Sequence, residues 1–193
     1  MSNKVSRRHA LITGAVLAAG MMGRRAEAQS LGSLDALTRL PPDATLPTIQ
    51  FFTPENQTLT LAHYRGKGVV LNLWATWCGP CVAELPTLDR LAGILAHEDI
   101  VVLPVSSDAG GAAPVRSFYD SHGINSLPVL LDPGGAILQS WHVPGIPLTV
   151  IFDRNGHPRA KLLGATDWST PQAVAAVKSL VGPDLMTGPT VKI

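Results

Sequence analysis

Cysteine is scarce in this chain, because only Cys78 and Cys81 occur among its 193 residues. Two cysteines cannot build a disulfide-rich scaffold. A structural zinc site usually takes four Cys or His ligands, and the sequence has neither a second C-x-x-C nor a close pair of histidines. A large excess of charge is also missing: the net charge is +1, and no basic run marks the body of the chain. The composition therefore gives no sign of a structural zinc site or of nucleic-acid binding.

Residues 1–28 have the layout of an export signal. A short basic start precedes an apolar run at 10–22, and A-E-A at 26–28 supplies the small residues of a cleavage site. The apolar run is shorter than the roughly 20 residues that a membrane-spanning helix needs. S-R-R at 6–8, followed by Leu11, partly matches the twin-arginine signal. We predict export to the periplasm. A twin-arginine route, an ordinary secretory signal and an uncleaved anchor remain open.

The rest of the chain alternates between strand and helix patterns. We predict a linker at 29–44, one domain at 45–182 and a loose tail at 183–193. The predicted strands are 46–52, 58–61, 68–74, 100–105, 129–131, 148–152 and 159–163, and the predicted helices are 80–97, 114–122 and 171–181. The apolar run GVVLNLW at 68–74 is typical of a strand buried on both faces. The alternation predicts an α/β fold, and the closing hairpin predicts a mixed sheet.

The two cysteines stand where the strand at 68–74 gives way to the next helix. The unpaired N–H groups and the dipole of a helix N-terminus stabilise a thiolate, so we predict that Cys78 has a depressed pKa and acts as the nucleophile. Pro80 fits the first helical turn, where its missing N–H would have no partner. Cys81 is predicted to be less exposed and to attack a mixed disulfide formed on Cys78. The pattern thus favours dithiol–disulfide exchange over a structural disulfide or two incidental cysteines.

Two residues outside the cysteine pair have more than one interpretation. Glu84 follows Cys81 by three positions, so it is either a buried carboxyl that holds a proton near the cysteines or a solvated residue that favours the helix start. Pro147 precedes a strand, where proline is ordinary. A cis Ile146–Pro147 bond would instead place the backbone of Ile146 beside the dithiol, able to pair with an extended substrate. The residues alone leave these alternatives open.

Four stretches of the sequence together resemble one known family. They are WATWCGPCVAELPTLDRL at 74–91, VSSDAGGAAPVRSFYDSHGINSLPVLLDPGGAI at 105–137, GIPLTVIFDRNG at 145–156 and DWSTPQA at 167–173. Over roughly residues 45–181 the chain is similar to the TlpA family of exported thioredoxin-like disulfide reductases. The resemblance implies a thioredoxin fold with a mixed central sheet flanked by helices. It also implies a family insertion at about 107–127, after the second core strand.

The resemblance carries roles to particular residues. In that family W-C-x-x-C is the redox centre, a glutamate three residues after the second cysteine approaches it, and a proline before the penultimate strand is cis. The implied catalytic residues are Cys78, Cys81, Glu84 and Pro147, and the implied substrate contacts are Trp77, Pro80 and Ile146. Leu148 departs from the pattern, because the family usually has threonine or a similar polar residue there.

The function expected from this resemblance is periplasmic disulfide reduction. The expected clients are proteins with disulfides, either apocytochrome c or the copper-site proteins of cytochrome oxidase, and a membrane electron donor should re-reduce the protein. We expect a monomer with no metal and no cofactor other than the Cys78–Cys81 disulfide itself.

Three other activities are compatible with parts of the pattern. A Cu(I) carrier would use the dithiol as soft ligands, although related copper carriers have C-x-x-x-C and a downstream histidine, for which His142 is the nearest candidate. A peroxidase would share the fold, but its cysteine follows a Pro-x-x-x-Thr approach, whereas Cys78 follows Trp77. An oxidant that makes disulfides is disfavoured by Gly79 and Pro80, which match the reducing thioredoxins.

Overall fold

The computed structural model describes residues 31–182, which form a mixed β-sheet with helices on both faces. Its strands are β1 Thr38–Arg39, β2 Phe51–Phe52, β3 Thr58–Leu59, β4 Gly68–Trp74, β5 Ile100–Ser106, β6 Leu130–Leu131, β7 Leu148–Phe152 and β8 Pro158–Leu163. Its α-helices are α1 Gly79–Leu95, α2 Ala112–His122, α3 Ala136–Ser140 and α4 Pro171–Val181, and short 3₁₀ helices span Leu34–Ala36 and Leu61–Tyr64.

The strands lie in the order β1-β8-β7-β4-β5-β6-β2-β3. Strands β4, β5 and β6 are parallel, whereas β7 runs antiparallel to β4, and β8 runs antiparallel to β7. This arrangement confirms the predicted α/β fold with a mixed sheet. The predicted insertion at 107–127 contains α2, and β5 immediately precedes it.

Strand β4 lies at the centre of the sheet, and all seven of its residues are buried. Because successive side chains of a strand point to opposite faces, Val70 and Trp74 join one core while Leu71 and Leu73 join the other. The same alternation puts Asn72 on the face of Val70 and Trp74, which is the face covered by α1, α2 and α4.

Helix α1 begins directly after β4 and packs its apolar side on that face of the sheet. Cys78 is the N-cap residue, and Pro80 lies in the first turn, as predicted. The buried residues are Cys81, Glu84, Leu85, Thr87, Leu88, Leu91 and Leu95. Residues three or four positions apart in this set, such as Cys81, Leu85 and Leu88, lie on one face of the helix, so Cys81 is on the sheet-facing side.

The structure corrects the predicted linker. The described part of 29–44 belongs to the fold, since Thr38 and Arg39 pair with Lys161 and Ala160 of β8 and extend the sheet. A strand of two residues is too short to show the alternating pattern of a strand, so nothing in the sequence marked β1. Helix α3 was missed for the same reason, as it has only five residues. The predicted strands at 46–52 and 58–61 shorten to β2 and β3.

Two predictions concern residues that the structure does not describe. The export signal at 1–28 and the tail at 183–193 both lie outside residues 31–182. Within the described range, no helix has the length and apolar character that crossing a membrane requires.

Candidate active site

Cys78 and Cys81 form a disulfide at the N-terminus of α1. Cys78 is 7% exposed and Cys81 is 1% exposed, so Cys78 is the more accessible of the two, as predicted. The backbone N–H of Cys81 donates a hydrogen bond of 3.3 Å to the Sγ atom of Cys78. In the reduced protein this donor and the helix dipole both favour a thiolate on Cys78.

The loop before β7 brings backbone to the disulfide. The Ile146–Pro147 peptide bond is cis, and the Sγ atom of Cys78 lies 3.6 Å from the carbonyl oxygen of Ile146. The carbonyl of Pro147 in turn accepts a hydrogen bond of 2.9 Å from the N–H of Gly164, which follows β8. The fold therefore places Ile146 and Pro147 beside the cysteines, although 65 or more residues separate them along the chain.

Glu84 is buried, so the interpretation of a solvated residue is wrong. Its side chain is 1% exposed and accepts three hydrogen bonds. The Oε1 atom accepts from the backbone N–H of Thr166 at 3.1 Å and from the indole N–H of Trp168 at 2.6 Å, and Oε2 accepts from the amide of Asn72 at 3.2 Å. Burial raises the pKa of Glu84 from 4.5 to about 7, although these three hydrogen bonds act in the opposite direction.

Asn72 and Thr149 extend this buried network into the sheet. The two residues are directly opposite each other on β4 and β7, and the amide of Asn72 donates to the hydroxyl of Thr149 at 3.0 Å. The amide oxygen of Asn72 has no hydrogen-bond partner. The buried amide of Asn72 thus links Glu84 to the sheet through its nitrogen, while its oxygen forms no hydrogen bond.

Sequence reasoning did not identify the partners of Glu84. Asn72 had a visible signal, because it is the one strongly polar residue in the apolar run GVVLNLW. Trp168 is fully buried, but nothing in the sequence shows that its indole faces a carboxyl. Thr166 contributes a backbone N–H, which carries no sequence signal at all.

The predicted substrate contacts lie at the surface around the disulfide. Trp77 is 70% exposed, which is the largest exposure of a bulky apolar side chain in the described residues. Pro80 is exposed and lines a groove of about 550 Å³ together with Ala83, Leu163 and Gly164. Ile146 is half-buried beside Cys78. Apolar residues thus lie beside the disulfide, Ile146 in contact with Cys78 and Trp77 and Pro80 next to the cysteines in the chain.

Possible metal ligands do not converge near this surface. Within 31–182, no group of three or more His, Cys, Asp or Glu side chains is arranged to hold a metal ion. His142, the histidine nearest to the Pro147 loop in sequence, is exposed.

The sheet topology and the C-x-x-C disulfide at a helix N-terminus define a thioredoxin-fold protein with a dithiol centre. The chain belongs to the AhpC/TSA family, whose profile matches residues 39–160.

Curated relatives and solved structures agree with this assignment. A thiol-disulfide oxidoreductase ResA of Geobacillus kaustophilus is 33% identical over 104 residues, which are 54% of this chain and 59% of that protein, less than two thirds of its length. The ResA of Geobacillus thermodenitrificans is 30% identical over 127 residues, covering 66% of this chain and 72% of that protein. Together they confirm the predicted resemblance to the TlpA family.

Among solved structures, a putative thiol-disulfide oxidoreductase from Bacteroides vulgatus has a TM-score of 0.59 and 28% identity, covering 73% of this chain and 97% of that chain. The exposed lipoprotein thioredoxin Etrx1 of Streptococcus pneumoniae has a TM-score of 0.54 and 29% identity, covering 67% and 98%. These neighbours confirm the thioredoxin fold.

Proposed function

We propose that this protein is a thiol–disulfide oxidoreductase that acts mainly as a reductase of protein disulfides. The observation that carries the proposal is the disulfide between Cys78 and Cys81 at the N-terminus of α1, with its more exposed sulfur beside the backbone of Ile146. The two ResA relatives, which are thiol-disulfide oxidoreductases by name, support it.

The first step uses the reduced protein. The Cys78 thiolate attacks one sulfur of a client disulfide and forms a mixed disulfide, while the other client sulfur leaves as a thiolate and takes up a proton. The N–H of Cys81 and the dipole of α1 stabilise the attacking thiolate. Cys78 serves here because Cys81 lies below the surface.

The second step releases the client. The Cys81 thiol loses its proton and attacks Cys78, which closes the Cys78–Cys81 disulfide and frees the second client thiolate. Glu84 lies on the same face of α1 as Cys81, three residues further on, so its carboxylate can take that proton. A pKa of about 7 suits a group that both accepts and returns a proton near neutral pH. The client gains two electrons, and the protein is left oxidised.

Client docking is assigned to the apolar surface around the disulfide. An extended client segment pairs with the backbone of Ile146 and packs against Trp77 and Pro80. Backbone pairing accepts many sequences, which is consistent with a reductase that recognises an exposed disulfide in an unfolded client.

The cellular role is the finer part of the proposal. The layout of residues 1–28 supports export to the periplasm, where a membrane electron donor must restore the dithiol. We assign clients in cytochrome c maturation or in assembly of the copper site of cytochrome oxidase. The protein acts as a monomer, and the Cys78–Cys81 pair is its redox group.

The test is reduction of a protein disulfide by the purified, reduced protein. We expect stoichiometric reduction of insulin by the wild type and none by Cys78→Ser. Hydrogen peroxide serves as the competing oxidant, because the AhpC/TSA fold also suits a peroxidase. Rapid consumption of peroxide without reduction of insulin would contradict the proposal and would indicate that the protein is a peroxidase.

A further inference from the structure

Asp108 is a buried carboxyl that the exchange chemistry does not use. It follows β5 at the start of the insertion and is 5% exposed. The hydrogen-bond partners of its carboxyl lie in two segments, the end of β5 and the loop between β4 and α1. That loop consists of residues 75–78 and ends at the nucleophile, so Asp108 connects the insertion to the dithiol centre.

The contacts fix one residue of the loop at both its backbone and its side chain. The Oδ2 atom of Asp108 accepts from the N–H of Thr76 at 2.9 Å, and Oδ1 accepts from the hydroxyl of Thr76 at 2.6 Å. The hydroxyl of Ser106 donates to Oδ2 at 2.6 Å and accepts from the N–H of Asp108 at 3.0 Å, which holds the carboxyl in place.

Ser107 adds a second attachment between the same segments. Its backbone N–H and its hydroxyl both donate to the carbonyl of Trp74, at 2.9 and 3.2 Å. Residues 106–108 therefore hold the chain from Trp74 to Thr76, which leaves Trp77 as the only residue between this clamp and Cys78.

We propose that Asp108 is a positioning residue that fixes the loop before Cys78 and thereby keeps the Cys78 sulfur in reach of the N–H of Cys81. The proposal rests on the proposed thiol–disulfide function, because it concerns how the nucleophile is held as a thiolate. A loop released from Asp108 lets Cys78 move away from the helix N-terminus, and the thiolate loses part of its stabilisation.

Substitutions of Asp108 and Thr76 can separate the effect of these hydrogen bonds from the effect of the carboxylate charge. In Asp108→Asn the amide oxygen can occupy the position of Oδ2 and accept from Thr76 and Ser106, while the amide nitrogen donates to the Thr76 hydroxyl. This variant keeps the clamp and removes a negative charge near Cys78. Asp108→Ala removes both, and Thr76→Val removes only the hydroxyl contact.

The pKa of Cys78 is the measurement that a purely structural role would not change. It is followed by the ultraviolet absorbance of the thiolate in a Cys81→Ser background, so that Cys78 is the only thiol. Glu84 is another titratable group on the same helix, and a parallel Glu84→Gln series removes its contribution. No client is needed, so the result stands apart from whether the protein reduces disulfides.

We expect Asp108→Ala to raise the pKa of Cys78 by about one unit, because the released sulfur loses the hydrogen bond from the N–H of Cys81 and part of the dipole contribution, and this loss exceeds the opposite effect of removing the Asp108 charge. Thr76→Val shifts it in the same direction by less, and Asp108→Asn leaves it unchanged or lowers it, because removing a negative charge favours the thiolate. An unchanged Cys78 pKa in Thr76→Val and in folded Asp108→Ala would overturn the proposal. Equal rises in Asp108→Asn and Asp108→Ala would also overturn it. If Asp108→Ala does not fold, the Cys78 pKa in Thr76→Val alone tests the proposal, and an unchanged value overturns it.

Discussion

Replacing Glu84 by glutamine should stabilise the oxidised protein at alkaline pH. A glutamine side chain retains the oxygen that accepts from Thr166 and Trp168, and it carries no charge. Its amide nitrogen would face the amide nitrogen of Asn72, but Asn72 can rotate its side-chain amide by half a turn and use its unpaired oxygen as the acceptor. The substitution therefore removes the cost of a buried charge with little loss of hydrogen bonding.

The magnitude follows from the pKa of Glu84. Burial raises it from 4.5 in the unfolded chain to about 7 in the folded protein, so between these values the folded state binds a proton that the unfolded state lacks. The free energy of unfolding of the wild type therefore falls as the pH rises through this window. At about 1.4 kcal/mol for each pKa unit, the total loss is on the order of 3 kcal/mol. Glu84→Gln should lack this decline.

Urea unfolding of the oxidised proteins between pH 4 and pH 8 measures the difference, and the disulfide keeps thiol titration out of the result. We expect Glu84→Gln to match the wild type near pH 4 and to exceed it by about 3 kcal/mol near pH 8. Glu55→Gln is the matched control, because Glu55 is exposed and its ion pair with Arg116 is at the surface. A difference between wild type and Glu84→Gln that does not change with pH would refute the reasoning.

Three further predictions follow from the same contacts. Trp168→Phe removes the indole donor to Glu84 and should raise the pKa of Glu84 above about 7, so the decline in unfolding free energy extends to higher pH; an unshifted decline would contradict this. Gly68→Ala should lower the unfolding free energy by about 1–3 kcal/mol in urea, because a Cβ atom there would overlap both methyl groups of buried Val181. Copper titration of the reduced protein should show weak Cu(I) binding, whereas tight one-to-one binding would support the copper carrier.

The central part of the fold could be predicted because its signals are local and long. Strand β4 and helices α1 and α4 have clear apolar patterns, and their predicted bounds agree with the structure to within two residues. Strand β1 could not be predicted, because two exposed residues carry no pattern and their strand character comes from pairing with β8. The same limit applied to α3.

The candidate active site could likewise be predicted only in part. Cys78, Cys81 and Pro80 occupy one short stretch, so spacing was enough to place them at a helix N-terminus. The surroundings of Glu84 come from Asn72, Thr166 and Trp168, two of which are 82 or more residues away. Long-range contacts of this kind depend on sheet register and loop path, which a single sequence does not contain. The link from Asp108 to Thr76 belongs to this group as well.

Trapping of mixed disulfides in the native cell tests the central claim most directly. In Cys81→Ser the resolving thiol is missing, so a client attacked by Cys78 stays covalently attached, and its mass separates cytochrome c maturation from assembly of the oxidase copper site. Cys78→Ser is the matched control, since it keeps the buried Cys81 and lacks the nucleophile. The account predicts discrete adducts in Cys81→Ser that reductant removes and that Cys78→Ser lacks. Equal adducts in both variants, or none in Cys81→Ser when it is well expressed and exported, would contradict it.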